Sequence, residues 1–201
     1  MMRKIGIFAA VGLIAGVAVA FRGARSDTPA TPAQGPQFTA DGKLIRPEGY
    51  RRWAYVSSGL GMSYTAGSGG YDAPMFTNVF VNPAAYEYYQ AHGTWPEQTM
   101  FVLEIYGSTS QGSINKEGRF QDRFVAVEAE VKDTKRFADK WAYFSFDHGE
   151  KTVAALAPSK NDCWTCHEQN AAVEHSFVQF YPELLKIAHD KGTTKPIKEQ
   201  K

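Results

Sequence analysis

Five consecutive residues towards the carboxyl end of the chain carry the clearest chemistry: Cys163, Trp164, Thr165, Cys166 and His167. The spacing Cys-x-x-Cys-His lets two thiols add to the vinyl groups of a haem while the adjacent histidine binds the iron. Cys163 and Cys166 are the only cysteines in the sequence. The motif therefore predicts one covalently attached c-type haem, with His167 as the proximal iron ligand.

Other uses of a cysteine pair fit this chain less well. A disulfide between Cys163 and Cys166 would close a loop too short to gain much chain entropy. A thioredoxin-like redox pair is expected after the first strand of a βαβ unit rather than near the carboxyl end. A structural zinc site usually takes four donors, and the sequence has no second Cys-x-x-Cys. Haem attachment is the interpretation that fits best.

The amino-terminal end has the pattern of an export signal. Arg3 and Lys4 precede an uncharged, mostly apolar run from Ile5 to Phe21, and Ala18-Val19-Ala20 supplies a small-x-small cleavage pattern. We therefore expect a signal peptide over residues 1–20. A run of about 17 residues is also at the lower limit for a membrane span, so an uncleaved anchor is the alternative. Because c-type haem is assembled outside the bacterial inner membrane, export and the haem motif together predict a periplasmic protein, free or anchored.

Composition divides the remainder of the chain. A stretch rich in Pro, Ala, Thr and Gly follows the leader, so we expect a linker over 21–45, one haem domain over 46–192 and a basic tail over 193–201. The 22 Lys and Arg residues nearly balance the 21 Asp and Glu residues, which leaves a formal net charge of +1. No strongly basic surface is indicated, so a nucleic-acid partner is not expected.

Four segments are predicted to be strands, because they are rich in branched and aromatic residues or alternate with a period of two. These segments are 75–81, 100–106, 124–131 and 141–146. After the first of them, Asn82, Pro83 and Gly93 mark the N-cap, the first turn and the end of a helix. Short connections between the later strands favour antiparallel pairing. The order predicts an α+β fold, a mainly antiparallel sheet with flanking helices and with the haem segment near the carboxyl end.

Side-chain periodicity assigns faces within these elements. In 124–131 the apolar odd-numbered residues are expected to face the core, so Glu128 and Glu130 are expected to face water. Beyond the haem motif, a helical stripe is expected to pack in the core, and Pro182 should kink that helix or begin its second half. The stripe consists of Phe177, Tyr181, Leu184 and Ile187, with Gly192 as its stop.

A series of short motifs follows in a particular order along the chain. They are Gly49-Tyr50-Arg51-Arg52-Trp53, Asn82-Pro83-Ala84-Ala85, Trp95-Pro96-Glu97, Val131-Lys132-Asp133, the aromatic strand at Trp141, Cys163 to His167, and Phe177-Val178-Gln179-Phe180-Tyr181-Pro182. Taken together, this order resembles the cytochrome P-460 family over residues 46–187. The resemblance implies a mainly antiparallel β domain with flanking helices, a single c-type haem and usually a homodimer.

The family that the chain resembles has two branches. Its hydroxylamine-oxidising enzymes carry an extra covalent bond from a lysine to the haem, whereas the cytochromes c′-beta lack that bond and bind small gases such as nitric oxide. In the enzymes the lysine follows the Trp/Phe-Pro-acid turn, and the corresponding count of about seven residues from Pro96 reaches Leu103. No lysine lies between Pro96 and Lys116. The resemblance therefore implies that the crosslink is absent, and that Leu103 and Phe101 form an apolar wall against the haem.

Three functions follow from these expectations. The first is a haem protein that binds nitric oxide or a similar small ligand at a five-coordinate iron held by His167. The second is an oxidoreductase that acts on hydroxylamine or another small nitrogen compound and passes electrons to a soluble cytochrome or other redox partner. The third is a one-electron carrier, which needs a sixth ligand such as a methionine or histidine. Absence of the lysine favours the first, and whether the protein is an enzyme is left open.

Several further residues are weighed against these roles. Glu104 could accept protons from a bound substrate, but alternation points it away from Leu103, so a surface or dimer-facing position is expected. The other histidines are expected to be solvated or to cap helices. They are His92, His148, His175 and His189, of which His148 could approach the haem edge.

Overall fold

The strands form two antiparallel sheets in the computed structural model, which describes residues 35–63, 73–149, 151–157 and 162–196. The strands are β1 (Gln37–Phe38), β2 (Leu44–Ile45), β3 (Ala54–Leu60), β4 (Phe76–Val81), β5 (Met100–Thr109), β6 (Phe120–Lys132), β7 (Trp141–Ser145) and β8 (Val153–Ala154). Strands β3 to β7 form a five-stranded sheet in chain order, and β1, β2 and β8 form a three-stranded sheet. Neighbours in both sheets pair antiparallel. The four predicted strands and their antiparallel order are confirmed.

Three α-helices accompany the sheets. They are α1 (Pro83–His92), α2 (Asp162–Asn170) and α3 (Pro182–Lys191). Helices α1 and α3 both begin with proline and end before a left-handed glycine, Gly93 with φ of 71° and Gly192 with φ of 66°. These are the signals that proline and glycine provide at helix ends. The predicted α+β class and the helix predicted after the first of the four strands, which is β4, are confirmed.

Asn82 begins α1 without capping it through its side chain. Its Oδ1 instead accepts a hydrogen bond from the backbone N–H of Met100 at 2.8 Å, and its Nδ2 donates to the carbonyl of Gln98 at 3.3 Å. The same side chain is thus bonded to the backbone at the start of β5. Asn82 thus links the start of α1 to the start of β5.

The five-stranded sheet has a hydrophobic core on each face. Phe101, Trp141 and Tyr143 lie on one face, in a core that also contains buried side chains of α1 and α3. Met100 lies on the opposite face, because side chains alternate along a strand, and its core includes Leu44 of the small sheet. Complete burial of side chains of this kind stabilises the fold by ~1.5–3 kcal/mol each.

The folded domain begins earlier than the sequence predicts. Strands β1 and β2 lie inside the segment 21–45 predicted as a linker, and Leu44 is completely buried. Two-residue strands are too short to show a period-two pattern, so the sequence gives no signal for them. The predicted leader over 1–20 and residues 197–201 of the tail lie outside the described residues. Within the described ranges, no helix combines the length and apolarity needed to span a membrane.

The predicted helical stripe near the carboxyl end forms in two parts. Residues Val178–Phe180 make a 3-10 turn, and α3 begins afresh at Pro182. Tyr181 and Leu184 are buried in the core, as predicted. Phe177 lies before the turn and contacts the haem motif instead of joining the helix.

Candidate functional site

Helix α2 carries the complete Cys-x-x-Cys-His motif. Cys163, Cys166 and His167 are spaced three and four residues apart, so their side chains share one side of the helix. Both cysteines are free thiols, Cys163 exposed and Cys166 partly buried. Desolvation, with the nearby Glu128 carboxylate, raises the pKa of the Cys163 thiol. Redox-active cysteines have a lowered pKa, so the environment of Cys163 does not favour a thioredoxin-like redox pair.

His167 is held in one tautomer by the backbone. Its Nδ1 lies 2.6 Å from the carbonyl oxygen of His175. A carbonyl oxygen only accepts hydrogen bonds, so Nδ1 carries the proton and donates it. Nε2 therefore keeps its lone pair for a metal, which is the usual arrangement of a metal-ligating histidine.

The chain reverses direction just after α2, and this reversal places the His175 carbonyl near His167. Val173 and Ser176 form an isolated antiparallel bridge, and Glu174 between them adopts a positive φ of 50°. The turn is anchored to the body of the protein, because Glu174 Oε2 accepts a hydrogen bond from Lys132 Nζ at 2.7 Å. His175 is thereby brought back towards the helix, five residues after the helix ends.

Two aromatic rings pack against His167. The Tyr143 ring, from β7, lies 4.7 Å from the imidazole between ring centroids, and the Phe177 ring lies at 4.2 Å. The His167 side chain is left about one-fifth exposed, at 20%. Sequence periodicity did not predict this contact of Phe177. It placed Phe177 in a core helix, whereas α3 begins only at Pro182.

Glu130 is the nearest carboxylate to His167. Its Oε2 lies 3.1 Å from His167 Nδ1, and the residue as a whole is only 8% exposed. The prediction that Glu130 faces water is wrong, because α2 covers this part of β6. Burial alone lowers the pKa of His167, but the charge of Glu130 and the hydrogen bonds around Nδ1 outweigh it, so the pKa is raised.

The two apolar residues predicted to contact the haem lie on the same sheet face as this cluster. Phe101 pairs with Glu130 across β5 and β6, and Leu103 pairs with Glu128. Phe101 is buried, with its ring edge-on to Trp95 at 4.7 Å between centroids. Leu103 is only partly buried and has Val79 as its neighbour on β4. Leu103 is thus the more open of the two and the better placed to form a wall.

The neighbouring acids Glu104 and Glu128 lie on opposite faces of the sheet, the first buried and the second exposed, as predicted for Glu128. Glu104 is 3% exposed on the opposite face, where its Oε1 accepts hydrogen bonds from Tyr50 Oη at 2.5 Å and Arg51 Nε at 2.6 Å. The predicted surface position of Glu104 is therefore wrong. Glu128, which the sequence suggested as a water-facing acid, lies beside Leu103 on the face of the haem motif. Its side chain reaches solvent, yet desolvation by the surrounding protein raises its pKa.

His175 is the histidine whose environment the sequence did not foresee. Its ring is half-buried and lies near Trp141 at 6.0 Å and Trp164 at 5.0 Å between centroids. Burial, with the charge of Lys195, lowers the pKa of His175 to about 4. The predicted solvated or capping role is wrong for this residue. His148 is exposed in a turn, as predicted, with Nδ1 2.9 Å from the Val125 carbonyl oxygen.

Comparison with known protein families identifies the family of this chain. A family model described as cytochrome P460 matches residues 47–178, which is most of the described domain and includes α2 and the turn at His175. The chain belongs to the cytochrome P460 family. This is a family of haem-binding cytochromes, so the resemblance drawn from the motif order is confirmed. A search of curated proteins finds no match to the sequence.

The residues present fit the haem of the cytochrome P460 family. Two free thiols lie on one side of α2, and the adjacent imidazole has its Nδ1 proton committed to a carbonyl. Cys163 and Cys166 would supply the thioethers and His167 Nε2 the bond to iron. When bound, the haem supplies an iron centre that can take up a small ligand or exchange an electron.

Proposed function

We propose that this protein is an exported mono-haem c-type cytochrome that binds nitric oxide or a similar small neutral ligand at a five-coordinate iron. The orientation of His167 carries the proposal, since the His175 carbonyl leaves Nε2 as the free nitrogen beside two unpaired thiols. The site needs no further protein ligand to hold the cofactor. The leader predicted over residues 1–20 supports delivery to the periplasm.

Apolar side chains support selection of a neutral ligand. Leu103 lies between Val79 and Glu128 across the sheet, on the face that carries the haem motif. A leucine cannot form the crosslink that a lysine forms in the hydroxylamine-oxidising branch; it can only pack and limit access. A wall of this kind offers no positive charge to an anionic ligand, whereas a diatomic gas does not need one.

The positions of the methionines weigh against a one-electron carrier. Met100 is completely buried on the opposite face of the sheet, among residues that contact the small sheet. Met62 is exposed beyond the end of β3, and Met75 precedes β4. The sheet therefore separates Met100, the only one of the three that is completely buried among the described residues, from α2. Met100 is thus not placed to be a sixth ligand, which favours an open iron position.

One observation favours a second candidate, the oxidation of hydroxylamine or a similar nitrogen compound. Glu128 faces the same side of the sheet as Leu103 and has a raised pKa. A carboxylate in that position can accept protons from a bound substrate, the role that the sequence first suggested for Glu104. This candidate predicts that the purified protein turns over hydroxylamine with a soluble cytochrome as electron acceptor.

The optical spectrum of the purified ferrous holoprotein tests the proposal. We expect an ordinary high-spin c-type spectrum that shifts on addition of nitric oxide, and a changed spin state in the His167→Ala variant. His148→Ala is the matched control, because His148 also bonds a backbone carbonyl through Nδ1 but is exposed elsewhere. A low-spin spectrum would instead indicate an electron carrier. A strongly red-shifted band would indicate a lysine crosslink and the enzyme.

A further inference from the structure

Two acceptors compete for the single Nδ1 proton of His167. The His175 carbonyl oxygen lies at 2.6 Å and Glu130 Oε2 at 3.1 Å. The Glu130 side chain is nine-tenths buried, and its Oε2 makes no hydrogen bond of normal geometry to the described residues. The shorter bond takes the proton, and a carboxylate oxygen is left unsatisfied against the edge of the imidazole.

The surroundings of Glu130 do not explain why a carboxylate is buried there. Its neighbours across β5 and β7 are Phe101 and Tyr143, which present aromatic surface. Lys132, two residues further along β6, donates instead to the Trp95 carbonyl at 2.6 Å and to Glu174 at 2.7 Å. A buried, unsatisfied polar atom is costly and rare in native proteins. The group that lies opposite Oε2 is the imidazole of the proximal ligand.

We propose that Glu130 is a positioning residue that makes His167 a stronger iron ligand once haem is bound. This inference rests on the proposed function, since it requires iron on Nε2. A cation on Nε2 draws electron density from the ring and makes Nδ1–H a stronger donor, and hydrogen bonds to charged acceptors are the stronger kind. The proton is then shared between the His175 carbonyl and Glu130.

Sharing the proton with a carboxylate gives the imidazole partial anionic character. Nε2 becomes more basic, so the bond from His167 to iron strengthens and the oxidised state of the iron is favoured. A hydrogen bond to the His175 carbonyl alone would orient the ring without adding this charge. Glu130 would thus determine how firmly His167 holds the iron.

The Glu130→Gln variant tests this role, with Glu128→Gln as its matched control. Both substitutions remove one negative charge from the same face of β6, but only Glu130 contacts His167 Nδ1. Resonance Raman spectra of the ferrous, unliganded holoproteins should show a lower iron–histidine stretching frequency in Glu130→Gln and the wild-type frequency in Glu128→Gln. In Glu130→Gln the ratio of ferric to ferrous protein at a fixed potential should fall about tenfold, which for one electron corresponds to ~59 mV.

Failure of this inference can be separated from failure of the proposed function. Wild-type protein without covalent haem, or with a spectrum indifferent to His167→Ala, would overturn the proposed function. Haem-loaded Glu130→Gln with the wild-type stretching frequency would overturn only the role of Glu130. Glu130→Asp keeps the charge on a shorter side chain, so its stretching frequency should lie between those of wild type and Glu130→Gln.

A crystal structure of the wild-type holoprotein provides a test that does not depend on variants folding. We expect Glu130 Oε2 to remain within hydrogen-bond distance of His167 Nδ1, closer than the 3.1 Å seen here. A Glu130 side chain turned away from His167 in that structure would contradict the proposal.

Discussion

At the scale of single residues, the sequence identifies the groups proposed to hold the haem but not the residues that surround them. Cys163, Cys166 and His167 are evident from spacing alone, because haem attachment requires that spacing. Glu130 and His175 are brought to His167 by strand register and by a reversal of the chain after α2. Neither relation leaves a short-range pattern in the sequence, so both residues were predicted to be solvated or capping.

Glu104 shows the same limit on the other face of the sheet. A lone acid in a strand is most often exposed, yet Glu104 is buried and pairs with Arg51, whose Nη2 lies 2.6 Å from Oε1. Arg51 also donates to Tyr106 Oη at 3.0 Å. This small network joins the 3-10 turn at Tyr50–Arg52 to the middle of β5. Its role is structural, because it is separated from α2 by the sheet.

Replacing Glu104 with alanine should therefore lower stability without altering the haem site. The change leaves the buried Tyr50 hydroxyl without its acceptor and Arg51 without its partner, a loss we expect to be about 2–4 kcal/mol in the free energy of unfolding. Urea unfolding of the holoprotein measures it. Glu117→Ala, in an exposed loop, is the control and should change stability by less than about 0.5 kcal/mol. An altered nitric oxide spectrum in Glu104→Ala, at unchanged stability, would contradict this assignment.

At the scale of elements, helix ends were predictable where proline and glycine mark them. Helices α1 and α3 begin and end at the residues that carry these signals. The segment between α2 and α3 was not predictable, because its apolar spacing imitates a helix while the backbone forms a bridge and a 3-10 turn. That irregular backbone places both the His175 carbonyl and the Phe177 ring against His167.

The two helix-ending glycines allow a matched comparison of backbone strain and packing. Gly93 and Gly192 have similar positive φ values of 71° and 66°, so alanine should cost about 1 kcal/mol at either from the left-handed backbone. A Cβ at Gly93 would also lie 2.9 Å from Lys191 Cβ and from Thr193 Oγ1, whereas one at Gly192 meets nothing within 4 Å.

Gly93→Ala should accordingly be the more destabilising change. We expect it to lower the free energy of unfolding by about 1–3 kcal/mol more than Gly192→Ala, the usual range for overpacking. Urea unfolding of the two variants side by side gives the difference directly. Equal losses would show that the contact between the end of α1 and the end of α3 relaxes freely.

At the scale of the whole molecule, the sequence predicts the fold class but not how the faces of the sheet are used. Short connections and period-two strands are local features, and they correctly indicate an antiparallel α+β domain. Alternation also shows that Leu103 and Glu104 point in opposite directions. Alternation does not show which face of the sheet carries the haem motif, because that depends on where α2 packs against the sheet. For this reason the prediction that Glu130 faces water is wrong, whereas Glu128 is exposed, as predicted.

The two faces of the five-stranded sheet have different roles in the proposed function. The core that includes Leu44 and the small sheet stabilises the domain. The opposite core contains side chains of α1 and α3 and continues to the haem motif. In the proposed function, one short helix and one turn hold the haem, and the remainder of this face stays apolar for a small ligand.

Intact-mass spectrometry of the purified holoprotein tests the central claim most directly. The whole sequence, including the leader predicted over residues 1–20, is expressed in a bacterium that assembles c-type cytochromes, and the mass of the purified protein is measured after denaturation. We predict the mass of the polypeptide plus one haem, with the haem lost in the Cys163→Ala, Cys166→Ala double variant and retained in the control Thr165→Ser within the same motif. A wild-type mass equal to that of the polypeptide alone, from cells that attach haem to other cytochromes, would contradict the account.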